Sequence, residues 1–364
     1  MTWNKLIWGI LLLISPVFSK AECHFNTEQP LLLQLAVAST APSATQKFAL
    51  SYNRLLGEET AQAKVELRDA ESAALFSHLS DWANAGVHAD LIMAEPAILD
   101  QNLDGIADAV YVVDINGRVW FIALSASGFS SPVLIADFSA EGAKFTQPLQ
   151  LVQAAYNVDY ASIGNIQRVK VSLVLIASYA DTGDSLILFN HQPEQDWLVT
   201  LHDLSDRTEL GLDDVDIGLT DSVWRDLQQS PGWFIQLGSS VRSKPQVYAG
   251  VVYFVAVSNV SEPSSCEINT SDETKLFAIH LHHAGKVYAK RSWQLTAMGK
   301  VTLQLNTTGE QLSLSLVNDT EPSEIISEVL AITEDCFDCT EELTTSSFPR
   351  TLRLATYMTE FGAW

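Results

Sequence analysis

The chain has 364 residues, 47% of them hydrophobic, and its 44 acidic residues outnumber its 21 basic residues to give a formal charge of −23. Nucleic acid is therefore a poor partner, since proteins bind its phosphates through lysine and arginine. A chain of this length and apolar content can bury a large core, which argues against an intrinsically disordered protein.

The first residues, 1–21, have the pattern of a signal peptide. Lys5 supplies a positive charge, and Leu6–Ile14 forms an apolar run that is too short to span a bilayer. Small residues stand at both ends of Ser19-Lys20-Ala21, so we predict cleavage before Glu22. An uncleaved anchor would need a longer apolar run. We expect an exported protein with no transmembrane segment after signal cleavage.

Residues 22–86 form a predicted N-terminal segment with its own composition, rich in alanine, serine and glutamine. Within Ala70–Ala85, apolar residues recur at helical spacing, and Gly86 follows as a stop signal. The pattern predicts one amphipathic helix whose apolar residues are Leu75, Phe76, Leu79, Trp82 and Ala83.

Residues 87–364 show a different pattern, in which short apolar runs rich in valine, tyrosine, isoleucine and phenylalanine are separated by turn residues. This is typical of β-hairpins. The predicted hairpin strands are Val110–Val113 with Val119–Leu124, Val169–Ala177 with Leu186–Phe189, Val251–Val257, Leu276–Leu281, and Leu303–Leu316, which is broken at Asn306–Gly309. In the first hairpin, Asn116-Gly117 can take the positive φ angles of a tight turn.

Glycine followed by valine and an aromatic residue recurs at Gly117–Trp120, Gly250–Tyr253 and Gly285–Tyr288. Such periodic marks are typical of propeller blades. Hairpins without intervening helices favour a propeller or a sandwich over a parallel α/β sheet. The predicted fold is all-β, a modified or partial β-propeller with a small N-terminal helical segment.

An acidic loop, Asp100–Asp108, has the spacing of a calcium site. Side-chain oxygens stand at its positions 1, 3, 5 and 9, with glycine at position 6 and a backbone carbonyl available at position 7. Calcium takes about six to eight oxygen ligands, and crowded carboxylates repel one another without a cation. Position 12 is Tyr111 rather than the glutamate of an EF-hand, so a loop-to-strand site is predicted. The predicted ligands are Asp100, Asn102, Asp104, the carbonyl of Ile106, and Asp108. The alternative is a solvated turn.

Other candidate sites are weaker. His280, His282 and His283 could bind a transition metal, but a hairpin turn is the favoured interpretation because no carboxylate or cysteine is near in sequence. The acidic stretch Asp213–Asp221 lacks the glycine-centred spacing and is interpreted as solvated. Known catalytic and nucleotide-binding motifs are absent from the sequence, so we predict that the protein is not an enzyme.

Four cysteines fit an oxidising compartment and allow three pairings, which the sequence leaves open. Cys336 and Cys339 could form a redox pair or half a zinc site, but neither has the surrounding pattern it requires. We predict a local disulfide between Cys336 and Cys339, with Cys23–Cys266 as the second bridge.

The residues around the acidic loop resemble a known family. Ala94–Asp100 precedes the loop, and Tyr111–Trp120 (Tyr-Val-Val-Asp-Ile-Asn-Gly-Arg-Val-Trp) follows it. This order resembles the calcium-binding blade of the PilY family of type IV pilus tip-associated adhesins and biogenesis factors. Later stretches resemble the family's late blades in the same order: Trp224–Leu227, Pro231–Leu237, Val241–Pro245, Gly250–Phe254, Pro263–Cys266 and Leu276–Ile279.

The resemblance covers about residues 90–290. It implies a non-enzymatic, calcium-binding component of type IV pilus assembly or of the pilus tip, located in the periplasm, at the outer surface or on the pilus. Minor pilins or other pilus components are the implied partners, and a host or surface ligand is the other partner class. Family members are usually longer and carry an N-terminal module resembling a von Willebrand A domain, which has no counterpart here. Asn102 replaces the acid that is usual at its position, which predicts a weaker calcium site.

The sequence is also compatible with two other functions. The first is a generic secreted propeller that binds a protein or a glycan and has no connection with pili. The second is a quinone-dependent propeller dehydrogenase, which would need cofactor ligands and adjacent cysteines that this sequence does not have.

Overall fold

A computed structural model of the protein describes residues 29–36, 45–57, 62–82, 84, 86–160, 164–179, 182–191, 197–210, 227, 230–258, 268, 273–288, 290–297, 299–308, 311–317, 322–326 and 360–361. The predicted signal peptide and all four cysteines (Cys23, Cys266, Cys336 and Cys339) lie outside these residues, as does the acidic stretch 213–221. Both predicted disulfides and the cleavage site therefore stay predictions.

The described residues form five β-sheets, which we number in chain order. Sheet one has β1 (Leu31–Ala36), β2 (Thr45–Tyr52), β3 (Val65–Asp69) and β4 (Leu75–Leu79), paired in that order. Sheet two has β5 (Ala97–Leu99), β6 (Ala109–Val113), β7 (Arg118–Ser125), β8 (Gly128–Phe129) and β9 (Val133–Asp137), with β8 and β9 both paired to β7. In both sheets every strand pairing is antiparallel.

Sheet three contains the longest strands. It has β10 (Gln150–Tyr160), β11 (Gly164–Tyr179), β12 (Gly183–His191), β13 (Ser205–Asp206), β14 (Gly232–Gln236) and β23 (Glu360–Phe361), in the order β13-β14-β12-β11-β10-β23. The short β13 runs parallel to β14, and the other pairs are antiparallel. The last described strand of the chain thus forms one edge of this sheet.

Sheets four and five contain β15 to β22, the strands that follow β14 in the sequence. Sheet four has β15 (Ser240–Val241), β16 (Gln246–Tyr248), β17 (Val251–Val257), β18 (Thr274–His280) and β19 (Ser292–Leu295), and sheet five has β20 (Thr302–Thr308), β21 (Gln311–Val317) and β22 (Pro322–Ile326). The described helices are short: α1 (Asn53–Leu56) and two 3₁₀ turns at Ser139–Glu141 and Leu201–Asp203. The prediction of an all-β, propeller-like fold is confirmed.

Successive sheets pack face to face through four apolar clusters. Because side chains alternate between the faces of a strand, one strand can serve two clusters. In β6, Val110 and Val112 pack against sheet one, whereas Tyr111 and Val113 pack against sheet three. Sheet four likewise contacts sheet three through one face and sheet five through the other. The middle sheets are therefore buried on both faces, which explains why their strands read as continuous apolar runs.

The predicted helix over Ala70–Ala85 is wrong. Leu75–Leu79 form β4, which pairs with β3 across a register shift, and residues 83 and 85 lie outside the described part of the chain. Leu75 is 49% exposed and Phe76 is 38% exposed, so the apolar residues do not form one buried stripe. A short apolar segment has no strong preference of its own, and pairing with a neighbouring strand decides its conformation.

Most of the predicted hairpins are present. β6 pairs with β7, β11 with β12 and β20 with β21, and β17 pairs with β16 across Ala249-Gly250. The predicted strand Leu276–Leu281 lies mostly in β18, which pairs with β17 and β19 and, within the described residues, forms no hairpin across His283–Gly285. In the first turn only Gly117 has a positive φ, of 88°, so the expectation for Asn116 is wrong. Gly285–Tyr288 begins no strand and contributes only an isolated bridge to Ile279, so the third glycine-aromatic mark was misleading.

Asp114 organises the turn between β6 and β7. It is completely buried, and its carboxylate accepts hydrogen bonds from the backbone N–H groups of Asn116 (3.0 Å) and Arg118 (3.2 Å) and from Nε1 of Trp120 (3.1 Å). Burial raises the pKa of Asp114, and the hydrogen bond from Trp120 opposes this shift. The Arg118 guanidinium lies 3.9 Å from the same carboxylate. One buried side chain thus satisfies several donors at once.

We expect Asp114→Ala to lower the free energy of unfolding by about 2–4 kcal/mol, because it leaves buried N–H donors without an acceptor. Urea denaturation followed by tryptophan fluorescence measures the change. Asp206→Ala is the control, since Asp206 is exposed and, among the described residues, its carboxylate accepts one hydrogen bond, from the N–H of Thr208 at 2.9 Å. Equal effects of the two variants would contradict this role for Asp114.

Candidate metal centre

The acidic loop joins two paired strands of sheet two. It leaves β5 at Leu99 and enters β6 at Ala109, and these two residues are partners in the ladder. The backbone N–H of Asp108 donates to the carbonyl of Leu99 at 2.8 Å and closes the base of the loop. The sequence prediction of a loop leading into a strand is therefore correct, and it excludes the helix that follows an EF-hand loop.

Hydrogen bonds inside the loop orient its first three predicted ligands. The N–H of Asp104 donates to Oδ1 of Asp100 (3.1 Å) and to Oδ1 of Asn102 (3.0 Å). Oδ2 of Asp100 accepts from the N–H of Gly105 at 2.7 Å, and Oδ1 of Asp104 accepts from the N–H of Ile106 at 2.8 Å. Local bonds of this kind are typical of aspartate and asparagine in turns. They bring Asp100, Asn102 and Asp104 to the same part of the loop.

Two residues of the loop have left-handed backbone conformations. Leu103 has a φ of 59° and Gly105 has a φ of 84°. Glycine adopts this conformation without steric cost, whereas leucine does so rarely. The side chain of Leu103 is 57% exposed at the tip. The loop therefore turns sharply at two points, as the sequence predicted for Gly105 only.

Asp108 is engaged elsewhere in the loop. Its Oδ2 accepts from the N–H of Gln101 at 2.7 Å. Among the residues that the structure describes, no three His, Cys, Asp or Glu side chains come close enough together to hold a metal ion. The structure thus brings together Asp100, Asn102 and Asp104, and does not gather the three carboxylates into one cluster.

The donor chemistry of the loop nevertheless fits a hard cation. All the predicted ligands are oxygen atoms, which calcium prefers over nitrogen or sulfur. Within the described part of the chain, no lysine or arginine forms an ion pair with Asp100, Asp104 or Asp108. The loop therefore carries three carboxylates in nine residues without a basic partner, and a bound cation would neutralise their charge.

The loop is held by two contacts that the sequence did not predict. Nε2 of Gln153, on β10, donates to the carbonyl of Asp100 at 2.9 Å. The N–H of Ala107 donates to the carbonyl of Gln34, on β1, at 2.8 Å. These partners are distant in sequence and belong to ordinary strand patterns, so no local signal marks them.

A buried histidine lies behind the strand that leaves the loop. The hydroxyl of Tyr111 and Nδ1 of His191 are 2.9 Å apart, and the two rings meet edge to face at a centroid distance of 5.6 Å. Phe121 packs against both rings, with centroid distances of 5.1 Å to His191 and 5.3 Å to Tyr111. Burial lowers the pKa of His191 to about 4 and raises that of Tyr111. His191 therefore stays neutral at neutral pH and connects sheet two to sheet three.

The three histidines at the end of β18 form a turn, as predicted. His280 stacks on His283 at a centroid distance of 3.7 Å, and its Nδ1 accepts from the N–H of His282 at 3.2 Å. Burial lowers the pKa of His280 well below its usual range, and the neighbouring histidines add to this shift. The ring stacking and the backbone hydrogen bond are typical of a packed turn, which was the interpretation favoured from the sequence.

The fold is similar to a solved structure, the C-terminal domain of PilY1 from Pseudomonas aeruginosa, with a TM-score of 0.52 and 14% sequence identity. The match covers 82% of this chain and 71% of that domain. At this identity the likeness shows the fold alone, so the chain has a PilY-like propeller fold. No protein-family model matches the sequence, and no curated protein sequence matches it.

Two dehydrogenases give weaker matches. A europium-containing methanol dehydrogenase has a TM-score of 0.38 and 10% identity, over 75% of this chain and 45% of the enzyme. The quinohemoprotein alcohol dehydrogenase from Comamonas testosteroni has a TM-score of 0.35 and 10% identity, over 82% of this chain and 44% of the enzyme. These scores are too low to support an inference about this protein.

No helix within the described residues is long and apolar enough to cross a membrane.

We expect the stability of the protein to fall as the pH drops from about 6.5 to about 4. In this window the unfolded chain binds a proton at His191 and the folded chain does not, which costs up to about 3 kcal/mol at the lower end. His191→Gln keeps a polar partner for Tyr111 and should reduce the slope by the share of His191, while His280, whose pKa is also lowered by burial, maintains part of the dependence. Urea denaturation at a series of pH values measures the free energy of unfolding against pH, and His202→Gln, at an exposed histidine, is the control. An unchanged slope in His191→Gln would contradict this assignment.

Proposed function

We propose that this chain is a non-enzymatic, calcium-binding component of type IV pilus assembly or of the pilus tip. The observation that carries the proposal is the agreement between a local sequence resemblance and the similarity of the fold. The residues around the acidic loop resemble the PilY family in sequence, and the described fold is similar to the PilY1 C-terminal domain at a TM-score of 0.52.

Calcium would be held by the oxygens of the acidic loop, which are those of Asp100, Asn102, Asp104 and Asp108 and the carbonyl of Ile106. When bound, the ion neutralises the three carboxylates. Before that, the hydrogen bonds that Asp104 and Gly105 donate to Asp100 already restrict the loop, which lowers the cost of ordering it. Asn102 contributes an oxygen without a charge, so the site should bind less tightly than one with four carboxylates.

The proposed partners are other pilus proteins, minor pilins first, or a host or surface ligand at the tip. The proposed location is outside the cytoplasm, in the periplasm, at the outer surface or on the pilus. In this function the loop presents or stabilises a binding surface, and no bond of a substrate is made or broken. Calcium at the concentrations found outside cells could then regulate the surface, because extracellular calcium modules often have Kd values of about 10⁻⁴ to 10⁻³ M.

We expect the purified protein, freed of divalent ions, to bind calcium with a Kd in this range of about 10⁻⁴ to 10⁻³ M. Asp104→Ala should weaken binding by more than about tenfold, because it removes a charged ligand that also accepts the Ile106 N–H. Isothermal titration calorimetry measures both. Asp206→Ala changes the net charge equally and should bind like the wild type. Equal affinity of all three proteins would rule out the acidic loop as the site.

In cells that carry this gene, we expect deletion to reduce the amount of pilin sheared from the surface. Complementation with the wild type should restore it, and Asp104→Ala should restore it poorly, while Asp206→Ala should restore it fully. Immunoblots of sheared and whole-cell pilin separate loss of assembly from loss of expression. Unchanged surface pilin in every strain would contradict the assembly role and leave tip adhesion or a generic secreted propeller that binds a protein or a glycan.

A further inference from the structure

The acidic loop contacts three different sheets. It belongs to sheet two through β5 and β6. The N–H of Ala107 donates to the carbonyl of Gln34 in sheet one, and the carbonyl of Asp100 accepts from Nε2 of Gln153 in sheet three. We call these two hydrogen bonds the clasp contacts. Each involves a residue within or beside the predicted ligand set, so the order of the loop and the position of the neighbouring strands are physically linked.

Gln34 lies in an edge strand. β1 pairs with β2 along one side, and within the described residues no further strand of sheet one covers its other side. The carbonyl of Gln34 would therefore face solvent or an unpaired position without the N–H of Ala107. Edge strands are the parts of a sheet that open most easily, because their hydrogen bonds are satisfied on one side only. The contact with Ala107 anchors the first described strand of the chain to sheet two.

Gln153 lies in β10, the strand that pairs with the last described strand, β23. It is only 6% exposed and pairs in the ladder with Val171 of β11 on one side and with Phe361 of β23 on the other. The residue that donates to Asp100 is therefore also a ladder partner of β23, the last described strand. Through its two clasp contacts, the acidic loop connects the first described strand with the strand that pairs with the last.

Asp100 provides the connection to the ion. Its backbone carbonyl accepts from Gln153, while its carboxylate accepts from the N–H groups of Asp104 and Gly105. Fixing the carbonyl restricts the backbone of Asp100 and hence the direction of its carboxylate, which is the first predicted ligand. Ligands that are held in place before the ion arrives bind it more tightly, since less freedom is lost on binding.

We propose that the acidic loop is a calcium-dependent clasp, in which ion binding strengthens the contacts to Gln34 and Gln153 and so holds β1 and the β10–β23 pair in place. This inference rests on the proposed calcium binding. Coupling of this kind is reciprocal: if Gln153 improves calcium affinity, then calcium stabilises the position of Gln153 by the same factor. Gln153 is therefore a positioning residue for the site, and it touches Asp100 rather than the ion.

The first experiment compares calcium affinity in three full-length proteins by isothermal titration calorimetry: the wild type, Gln153→Leu and Gln150→Leu. Gln150 is a matched control because it lies on the same strand and, in the described part of the chain, its Nε2 donates to the neighbouring carbonyl of Leu149 at 3.2 Å rather than to the acidic loop. We expect Gln153→Leu to raise the Kd by at least about fivefold, and Gln150→Leu to change it by less than about twofold. Circular dichroism without calcium checks that all three proteins are folded.

The second experiment needs no variant at Gln153. Hydrogen–deuterium exchange of the wild type, with and without calcium, should show slower exchange in peptides that contain Leu31–Ala36, Gln150–Tyr160 and Glu360–Phe361. Asp104→Ala should show no such response. In Gln153→Leu, the response of β1 should persist through Ala107, whereas the response of β10 and β23 should be lost. A response limited to the acidic loop would overturn the clasp.

The outcomes separate the clasp from the proposed function. If the wild type binds calcium, and Gln153→Leu has an unchanged Kd and an unchanged exchange pattern, the clasp is wrong and the calcium-binding function stands. If the wild type shows no calcium binding by calorimetry, both are wrong. A higher Kd in Gln153→Leu, together with calcium-dependent protection of β1 and β10 in the wild type, supports both.

Discussion

Burial on both faces is the constraint that organises the middle of this molecule. Sheets two, three and four each present apolar side chains in two directions, and a sheet of this kind is stable only when other sheets cover both of its sides. The alternation within β6 shows this most clearly, since Val110 and Val112 face sheet one while Tyr111 and Val113 face sheet three. A stack of sheets in chain order follows, and a propeller is the closed form of that arrangement.

The acidic loop joins β5 and β6, two strands without a charged residue. β6 is buried along its whole length, and the turn at its far end is anchored by the buried carboxylate of Asp114. Between these fixed points the loop projects from the edge of sheet two, where Asn102 and Asp104 are exposed to solvent. A rigid hairpin thus supports a loop with several carboxylates, which is the usual division between a scaffold and a binding site.

Local patterns predicted the hairpins and the acidic loop well, since both depend on neighbours in sequence. Strand pairs such as β6 with β7 are joined by short turns, and the loop's internal hydrogen bonds join residues two to seven positions apart. The predicted helix at Ala70–Ala85 failed for the opposite reason. Its apolar spacing fitted a helix, but pairing of Leu75–Leu79 with β3 determined the structure, and that partner is a tertiary feature.

By itself, the sequence determined the β-rich class, the position of the acidic loop and the chemistry of its oxygens, because alternation, turn residues and carboxylate spacing are local properties. Only the tertiary structure decided which strands lie beside the loop. Gln34 precedes Asp100 by many residues and Gln153 follows it at a similar distance, and each belongs to a strand with no special signature. Their contacts exist because the sheets stack, and stacking minimises the exposed apolar area of the whole chain rather than of any one segment.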